Sequence, residues 1–481
     1  MLKPLGYTFV PRWLSERAIC LYLGLLLAVA FAFHEHMMAW YFVLFGLIEV
    51  IGFFFYANYL TKEWHTDHVR NDVFVMRLFY TSLAIRVVYV LFSYWFYQEM
   101  TGIPFEYHAA DSLFYHTSAL HGAQLLRKGS LWDFWRDFNL YMGTDISDTG
   151  YATYLSVVYS LTNDSVLVTR FIKAILSAMT VTLIYRLARR NFNEDAARMA
   201  GIFCMLMPNL VFYCGLQLKE TEMICLTVLL VEESDKMLRS KDFSFWQLIL
   251  VLLIGAGLFT MRTALAIVAI LSLLFTIVLA SEKVMSWAKR LIIGVLAVGL
   301  IGVTIGNRIE ENAKELMENV HAGGQKTNME WRAQRENGNE FAKYAGSAVF
   351  APMIFTIPFA TLVSTPEQEN QLLIHGGNFV KNILSGLVIF AMFVLLLTGT
   401  WRRYAMPLAF MVGYLVVLVF SSFAHSERFH LPVVPFELMF AAYALGLVGK
   451  REKKWMNWWF VLIFVANVAW QWFKLAGRGM I

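Results

Sequence analysis

Continuous apolar runs of bilayer length recur from one end of this chain to the other, and they constrain its fold more than any other feature. A helix needs about twenty apolar residues to cross the hydrocarbon core. The runs do not alternate between apolar and polar residues, which excludes a transmembrane barrel, and open sheet is not tolerated in lipid. Of the 481 residues, 58% are apolar and only 16% are charged. A soluble domain carries roughly 25% charge. The expected fold class is therefore all-α, a polytopic membrane protein of about 13 transmembrane helices with extracytoplasmic loop helices. The four cysteines, Cys20, Cys204, Cys214 and Cys225, lie in or beside apolar runs without a CxxC spacing and read as small core residues. The net charge of +5 is spread over short loops, so it points to membrane topology and not to nucleic acid.

The expected spans are 18–34, 39–60, 73–97, 165–187, 196–214, 219–237, 244–261, 264–281, 290–306, 376–398, 404–421, 431–449 and 456–474. The first follows Lys3, Arg12 and Arg17, shows no convincing cleavage site and reads as a retained span. With the N-terminus inside, six basic turns fall on the cytoplasmic side: Lys62/Arg70, Arg186/Arg189/Arg190, Lys236/Arg239/Lys241, Lys283/Lys289/Arg290, Arg402/Arg403 and Lys450/Arg451/Lys453/Lys454. Lys474 and Arg478 then fall outside, against the rule. The chain divides into an N-terminal hairpin plus first core span (1–97), a first outer loop (98–164), a transmembrane core (165–306), a second outer loop (307–375) and C-terminal helices (376–481). The apolar piece 348–363, with Pro352 and Pro358, is expected to be a re-entrant or interfacial helix lining a lipid groove. Glu49 and Arg86 fall at similar depth on neighbouring spans and are expected to neutralise each other.

Between two apolar spans stands "PFEYHAADSLFYHTSALHGAQLLRKG", Pro104–Gly129, rich in titratable groups: Glu106, Asp111, His108, His116, His121, Tyr107 and Tyr115. Its apolar spacing predicts a helix from Asp111 to Lys128, ended by Gly129. Asp111 then sits in the first turn, with Tyr115 and Ser118 on the same face. Asp111 is either a reactive carboxylate or a capping acid. Asp145 and Asp148, in "MGTDISDTGY", are either turn residues or a second acidic arm. Cations mark the outer boundary: Arg170 and Lys173, Lys219 beside Glu220, Arg262, and Arg428 flanked by His425 and His430. Charges there are costly and usually face a polar cavity or a partner. A converging set suits an anionic lipid headgroup such as a polyprenyl phosphate, whereas salt bridges to Glu220, Glu222 and Glu427 are the plainer explanation for any one of them.

From about 100 to 450, the order of "AADSLFYHTSALHGAQLLRKG", "GYATYLSVVYSLTNDSVLVTRFIKAILSAM", "CGLQLKETEM" and "HSERFHLPVVPFELMF" resembles the GT-C glycosyltransferases, the group that includes protein O-mannosyltransferases and aminoarabinose lipid A transferases. The resemblance implies an integral membrane enzyme that takes sugar from a polyprenyl-phosphate donor, with inversion, at the extracytoplasmic face of a bacterial cytoplasmic membrane. It implies Asp111 as the catalytic base, followed by Tyr115 and Ala119 on its helix. Ser112 stands where many members carry a second acid; Glu106, His108, Asp145, Asp148 or Glu220 would have to supply one. Arg428, with Pro432 and Pro435, matches the late Arg-x-x-x-Pro-x-x-Pro segment. Arg428, Lys219, Arg262, Arg170, Lys173, Tyr115, His108 and His430 are the expected contacts to substrate and lipid phosphate. Mg²⁺ or Mn²⁺ through Asp111, Asp145 or Asp148 is one way to assist, and the cations acting alone is the other. The implied partners are the lipid-linked donor, membrane lipid and a glycan, lipid or protein acceptor. Two competing readings are a polysaccharide polymerase or O-antigen ligase, acting through Arg308, His321, Arg332 and Arg335, and a lipid-linked oligosaccharide flippase.

Overall fold

The computed structural model describes residues 6–142, 146–240, 244–279, 293–296, 298–299, 339, 351–420, 424–449 and 452–481. Among these residues the fold is helical, with no strand. Seven helices are long and apolar enough to cross a membrane. They are α1 (Arg12–Ala32), α2 (Trp40–Glu63), α3 (Asn71–Thr101), α7 (Val166–Asn191), α14 (His375–Leu397), α15 (Ala405–Phe420, with the helical turn before it) and α18 (Glu452–Ala476). An eighth span is bent by 51° where α8 (Glu194–Leu206) meets α9 (Pro208–Phe212). Pro208 cannot donate an amide to α8 and starts the new helix at its first position. The segment between α3 and α7 contributes α4 (Ala110–Arg127), α5 (Leu131–Met142) and α6 (Ile146–Thr162), and a short helix, α13 (Glu369–Leu373), precedes α14.

The expectation of about 13 spans needs correcting in detail. Three predicted spans are short apolar helices, α11 (Phe245–Phe259), α12 (Thr263–Leu279) and α17 (Val434–Leu445). A helix shielded by its neighbours need not match the bilayer by itself. α17, packed on α8 and α14, has eleven buried residues among its twelve. The predicted sixth span is α10 (Glu220–Arg239), whose acids Glu220, Glu222, Glu232 and Asp235 are buried inside the protein. Arg190 binds both Glu232 and Asp235, the latter at 3.2 Å, and Lys173 meets Glu222 at 3.3 Å. The predicted span 290–306 lies mostly outside the described residues, which hold only 293–296 and 298–299 of it.

The mid-span pair does not form. Arg86 is fully buried and donates to Ser177 Oγ (2.5 Å), Ser82 Oγ (2.7 Å) and the carbonyls of Cys204 and Met205 (both 3.2 Å). Those carbonyls close α8, the negative end of its dipole. Glu49 instead accepts from the Gly377 amide at 3.0 Å, in the first turn of α14. Each charge is matched to a helix end and not to the other charge.

The piece 348–363 is also not a helix in its described part. After one short turn at Ala351–Met353 the chain runs irregularly through the core, with Ile357, Ala360, Leu362 and Val363 fully buried. Irregular backbone at membrane depth is tolerated only when protein satisfies it. Here side chains of α14 and α18 do so. Asn467 accepts from the Ala360 amide (2.9 Å), and Gln471 accepts from Leu362 (2.8 Å) and donates to the Ala360 carbonyl (2.7 Å). Asn382 donates to the Thr356 and Pro358 carbonyls, and Lys381 to Ile357 at 2.8 Å. The segment is thus a buried plug. Replacing Asn467 with Leu leaves the Ala360 amide bare and is expected to cost about 1–3 kcal/mol. The readout is a lower melting temperature of the detergent-solubilised protein; an unchanged melting temperature would count against the plug.

Candidate active site

α3 ends at Gly102 in the left-handed region (φ 79°), and the chain turns through Ile103–Ala109 into α4. Two buried groups pin that turn. Arg170, on α7, donates to the Pro104 carbonyl. Glu106 accepts from Ser112 Oγ at 2.6 Å, in the first turn of α4. Burial raises the Glu106 carboxyl above its ordinary value, against the lowering effect of the Ser112 bond. The turn therefore delivers Asp111 to the surface of α4, where its side chain is 56% exposed.

Asp111 accepts from Arg428 through one guanidinium nitrogen. The Arg428 Nε is taken by Glu220, which is fully buried at the start of α10. Arg262 approaches the same Glu220 oxygen at 3.6 Å and lies over the Phe429 ring, 4.4 Å from its centroid. Beside Glu220, Lys219 binds Asp148 and donates to the Ser147 carbonyl at 3.0 Å. Tyr115, one turn beyond Asp111, donates to the same Asp148 oxygen at 2.6 Å. These contacts close a ring from Asp111 through Arg428, Glu220, Lys219, Asp148 and Tyr115 back to α4. Three acids and three cations meet here, Arg428 and Lys219 within the ring and Arg262 beside Glu220. The acids at the rim are the more exposed members, and the cations lie beneath them.

Five parts of the chain build this ring: α4, α6, the start of α10, the turn from α11 to α12, and the segment that carries Arg428. Arg428 is carried by a four-residue helix, α16 (Glu427–His430), whose Glu427 is buried and accepts from Tyr213 at 3.4 Å. Arg262 sits in the turn from α11 to α12, and α6 is fastened to that turn. The Gly150 amide donates to the Thr260 carbonyl at 2.9 Å, and a Cβ at Gly150 would fall 2.0 Å from Thr260 Oγ1. Glycine is required there by close approach. Burial raises the Asp148 carboxyl, but the Lys219 ammonium, the Tyr115 hydrogen bond and the Arg262 charge together outweigh burial and hold it below its ordinary value. Burial and the neighbouring Asp148 charge raise the Tyr115 phenol. Asp148 stays a carboxylate and Tyr115 stays a neutral donor.

The ring brings together Asp111, Tyr115, Asp148, Lys219, Glu220, Arg262 and Arg428. Other expected site residues go elsewhere. Arg170 and Lys173 are fully buried on the inner face of α7 and are struts instead of ring members. Lys173 meets Glu222, donates to Tyr151 at 3.3 Å and to the Leu218 carbonyl, and so fixes the turn before Lys219. Arg170 lies near the Tyr94 and Phe105 rings. His430 is buried between Lys381 (3.2 Å) and the Ala424 carbonyl (2.8 Å), turned into the core. His108 pairs with Glu369 of α13 at 3.2 Å. Asp145, Arg308, His321, Arg332 and Arg335 lie outside the described residues. Among the described residues no three His, Cys, Asp or Glu side chains gather in a metal-binding group. Sequence reasoning missed the Gly150–Thr260 clasp and the Glu106–Ser112 bond; "SDTGYATY" carried the only hint, a glycine at the start of a helix.

Residues 150–305 match the dolichyl-phosphate-mannose-protein mannosyltransferase family, and residues 370–476 match the Alg9-like mannosyltransferase family. The two matches support a GT-C superfamily membrane glycosyltransferase, and the apolar helices support a multi-pass membrane protein. A search of curated proteins finds no match. The first matched stretch contains Lys219, Glu220 and Arg262, and the second contains Arg428. Asp111, Tyr115 and Asp148 lie upstream of both, so the ring joins the two matched stretches to the segment between α3 and α7.

Proposed function

We propose that the ring is the active site of a transferase that moves a sugar from a polyprenyl-phosphate donor to a hydroxyl group at the extracytoplasmic face. The observation that carries this reading is the contact of one surface carboxylate, Asp111, with Arg428, whose other side is braced by buried Glu220. Asp111 removes the acceptor hydroxyl proton as that oxygen bonds to the anomeric carbon. The bond from that carbon to the phosphate oxygen breaks on the opposite side, and its electron pair leaves with the phosphate. The sugar is inverted, the proton rests on Asp111, and polyprenyl phosphate is the second product. Arg428, Arg262 and Lys219 face the charge that grows on the leaving phosphate. Because three cations already converge, the proposed reaction needs no divalent ion.

The topology supports the outer face. The ring sits at the C-terminal end of α3 and the N-terminal ends of α7 and α10, and the basic turns occupy the opposite ends of those helices. There Arg198 donates to the Trp64 and Val69 carbonyls (both 2.7 Å), and Arg239 to the Arg403 carbonyl. The matched families support a lipid-linked donor and a glycan or protein acceptor.

The test incubates purified protein in lipid with a panel of labelled polyprenyl-phosphate sugars and an outer-envelope extract as acceptor. Release of polyprenyl phosphate with transfer of label, unchanged by EDTA, is expected. Sugar carried across vesicles without a new glycosidic bond would overturn the enzyme reading. Activity that disappears with EDTA and returns with Mg²⁺ or Mn²⁺ would overturn the metal-free form.

A further inference from the structure

At the other end of the molecule a cleft of ≈ 490 Å³ opens between the first turns of α1 and the last turns of α2. Its walls are Arg12, Glu16 and Ile19 on α1, and Phe55, Tyr59, Lys62 and Glu63 on α2. α3, with 31 residues, separates it from the Asp111 ring by about 45 Å at the usual helical rise. By the basic-turn pattern it lies at the cytoplasmic boundary.

The floor is committed to backbone. Ser15 donates to the Phe54 carbonyl (3.0 Å) and Asn58 to the Val10 carbonyl (2.5 Å), which binds the two helices together. Lys62 is held by Asn58 Oδ1 at 3.1 Å and lies over the Phe9 ring. The rim differs. Arg12, Glu16 and Glu63 make no hydrogen bond or ion pair among the described residues, although Arg12 and Glu16 are one turn apart. Phe55 and Tyr59, both at least half exposed, extend the wall as an apolar surface. Two cations, two carboxylates and an apolar flank thus share one boundary cleft.

We propose that this cleft binds the headgroup of a phospholipid carrying both a phosphate and a primary ammonium. Arg12 and Lys62 take the phosphate, Glu16 and Glu63 accept from the ammonium, and the acyl chains run along Phe55, Tyr59 and Ile19. A purely anionic headgroup leaves the carboxylates facing negative charge. A quaternary ammonium has no N–H to give them.

The test is native mass spectrometry of protein released from nanodiscs of equal parts phosphatidylethanolamine, phosphatidylglycerol and phosphatidylcholine. Phosphatidylethanolamine is expected to be retained about tenfold over the others, the ratio that one charge-assisted contact of about 1.4 kcal/mol supplies. Glu16→Gln with Glu63→Gln should shift the preference to phosphatidylglycerol, and Arg12→Gln with Lys62→Gln should abolish retention of both. Arg12, Glu16 and Glu63 are exposed and Lys62 is half-buried, and an unchanged melting temperature confirms that the variants fold. Glycerophosphoethanolamine should not displace the lipid; displacement would point to a soluble ligand and overturn the lipid assignment. Equal retention of the three lipids, or a preference indifferent to these substitutions, would overturn the site. The outcome is independent of whether the Asp111 ring transfers sugar.

Discussion

Asp111→Asn is expected to lower turnover about 10³-fold, within the range for loss of a positioned general base. The amide keeps the size of the carboxyl and can still accept from Arg428, so the donor should bind with little change. The fold should also persist, because Asp111 is 56% exposed and lies on the outer surface of α4. Steady-state kinetics separate the cases. A fall in kcat at nearly constant donor KM supports a base. A change confined to KM, or full activity, means that Asp111 merely caps its helix and that the proton goes elsewhere. Asp148→Asn is the comparison. Its carboxylate is tied to Lys219 and Tyr115, so its loss should loosen donor binding more than it slows chemistry.

Arg428→Ala should be the most damaging single change, because two functions fail together. It removes a cation facing the leaving phosphate, a loss on the order of 10²–10³ in kcat. It also strips fully buried Glu220 of its main partner. Leaving a buried charge uncompensated costs about 3–5 kcal/mol, with the lower end expected because Arg262 remains at 3.6 Å. The double variant Arg428→Ala/Glu220→Gln distinguishes the two effects. It should regain most of the melting temperature and none of the activity. If the double variant recovers activity, Arg428 was only a brace for Glu220. Arg428→Lys should keep part of the charge but lose the forked contact to Asp111 and Glu220, since an ammonium cannot present two fixed directions at once.

Part of this site is legible in the amino-acid sequence. The helix bearing Asp111 and Tyr115 is found where its apolar spacing places it, at Ala110–Arg127. Lys219, Arg262 and Arg428 stand out because cations at a membrane boundary need a reason. The same logic fails for Arg170 and Lys173. Both satisfy the pattern of a boundary cation, yet they point inward, to Pro104 and to Glu222 and Leu218. A sequence gives the depth of a charge in a span but not the side of the helix that the bundle covers. Glu49 and Arg86 show the same limit. Equal depth suggests a pair, but helix ends are the nearer partners. Around Pro352 and Pro358 the two prolines do signal an interruption, and the helical turn there ends at Met353. The route of that stretch through the core depends on Asn382, Asn467 and Gln471, which come from distant spans.

Pattern along the chain is enough to dictate the solvent. Apolar runs of bilayer length require a helical membrane protein, because that property is local and additive, and the basic residues concentrated in alternate turns are the signal for which loops share a side. Which charges meet is a different matter, and packing alone decides it. Asp111, Asp148, Glu220, Arg262 and Arg428 are separated by up to 317 residues, and their contacts depend on how α4, α6, α10, the α11–α12 turn and α16 fit together. That fit is a property of all those surfaces at once, and no single stretch of the chain encodes it.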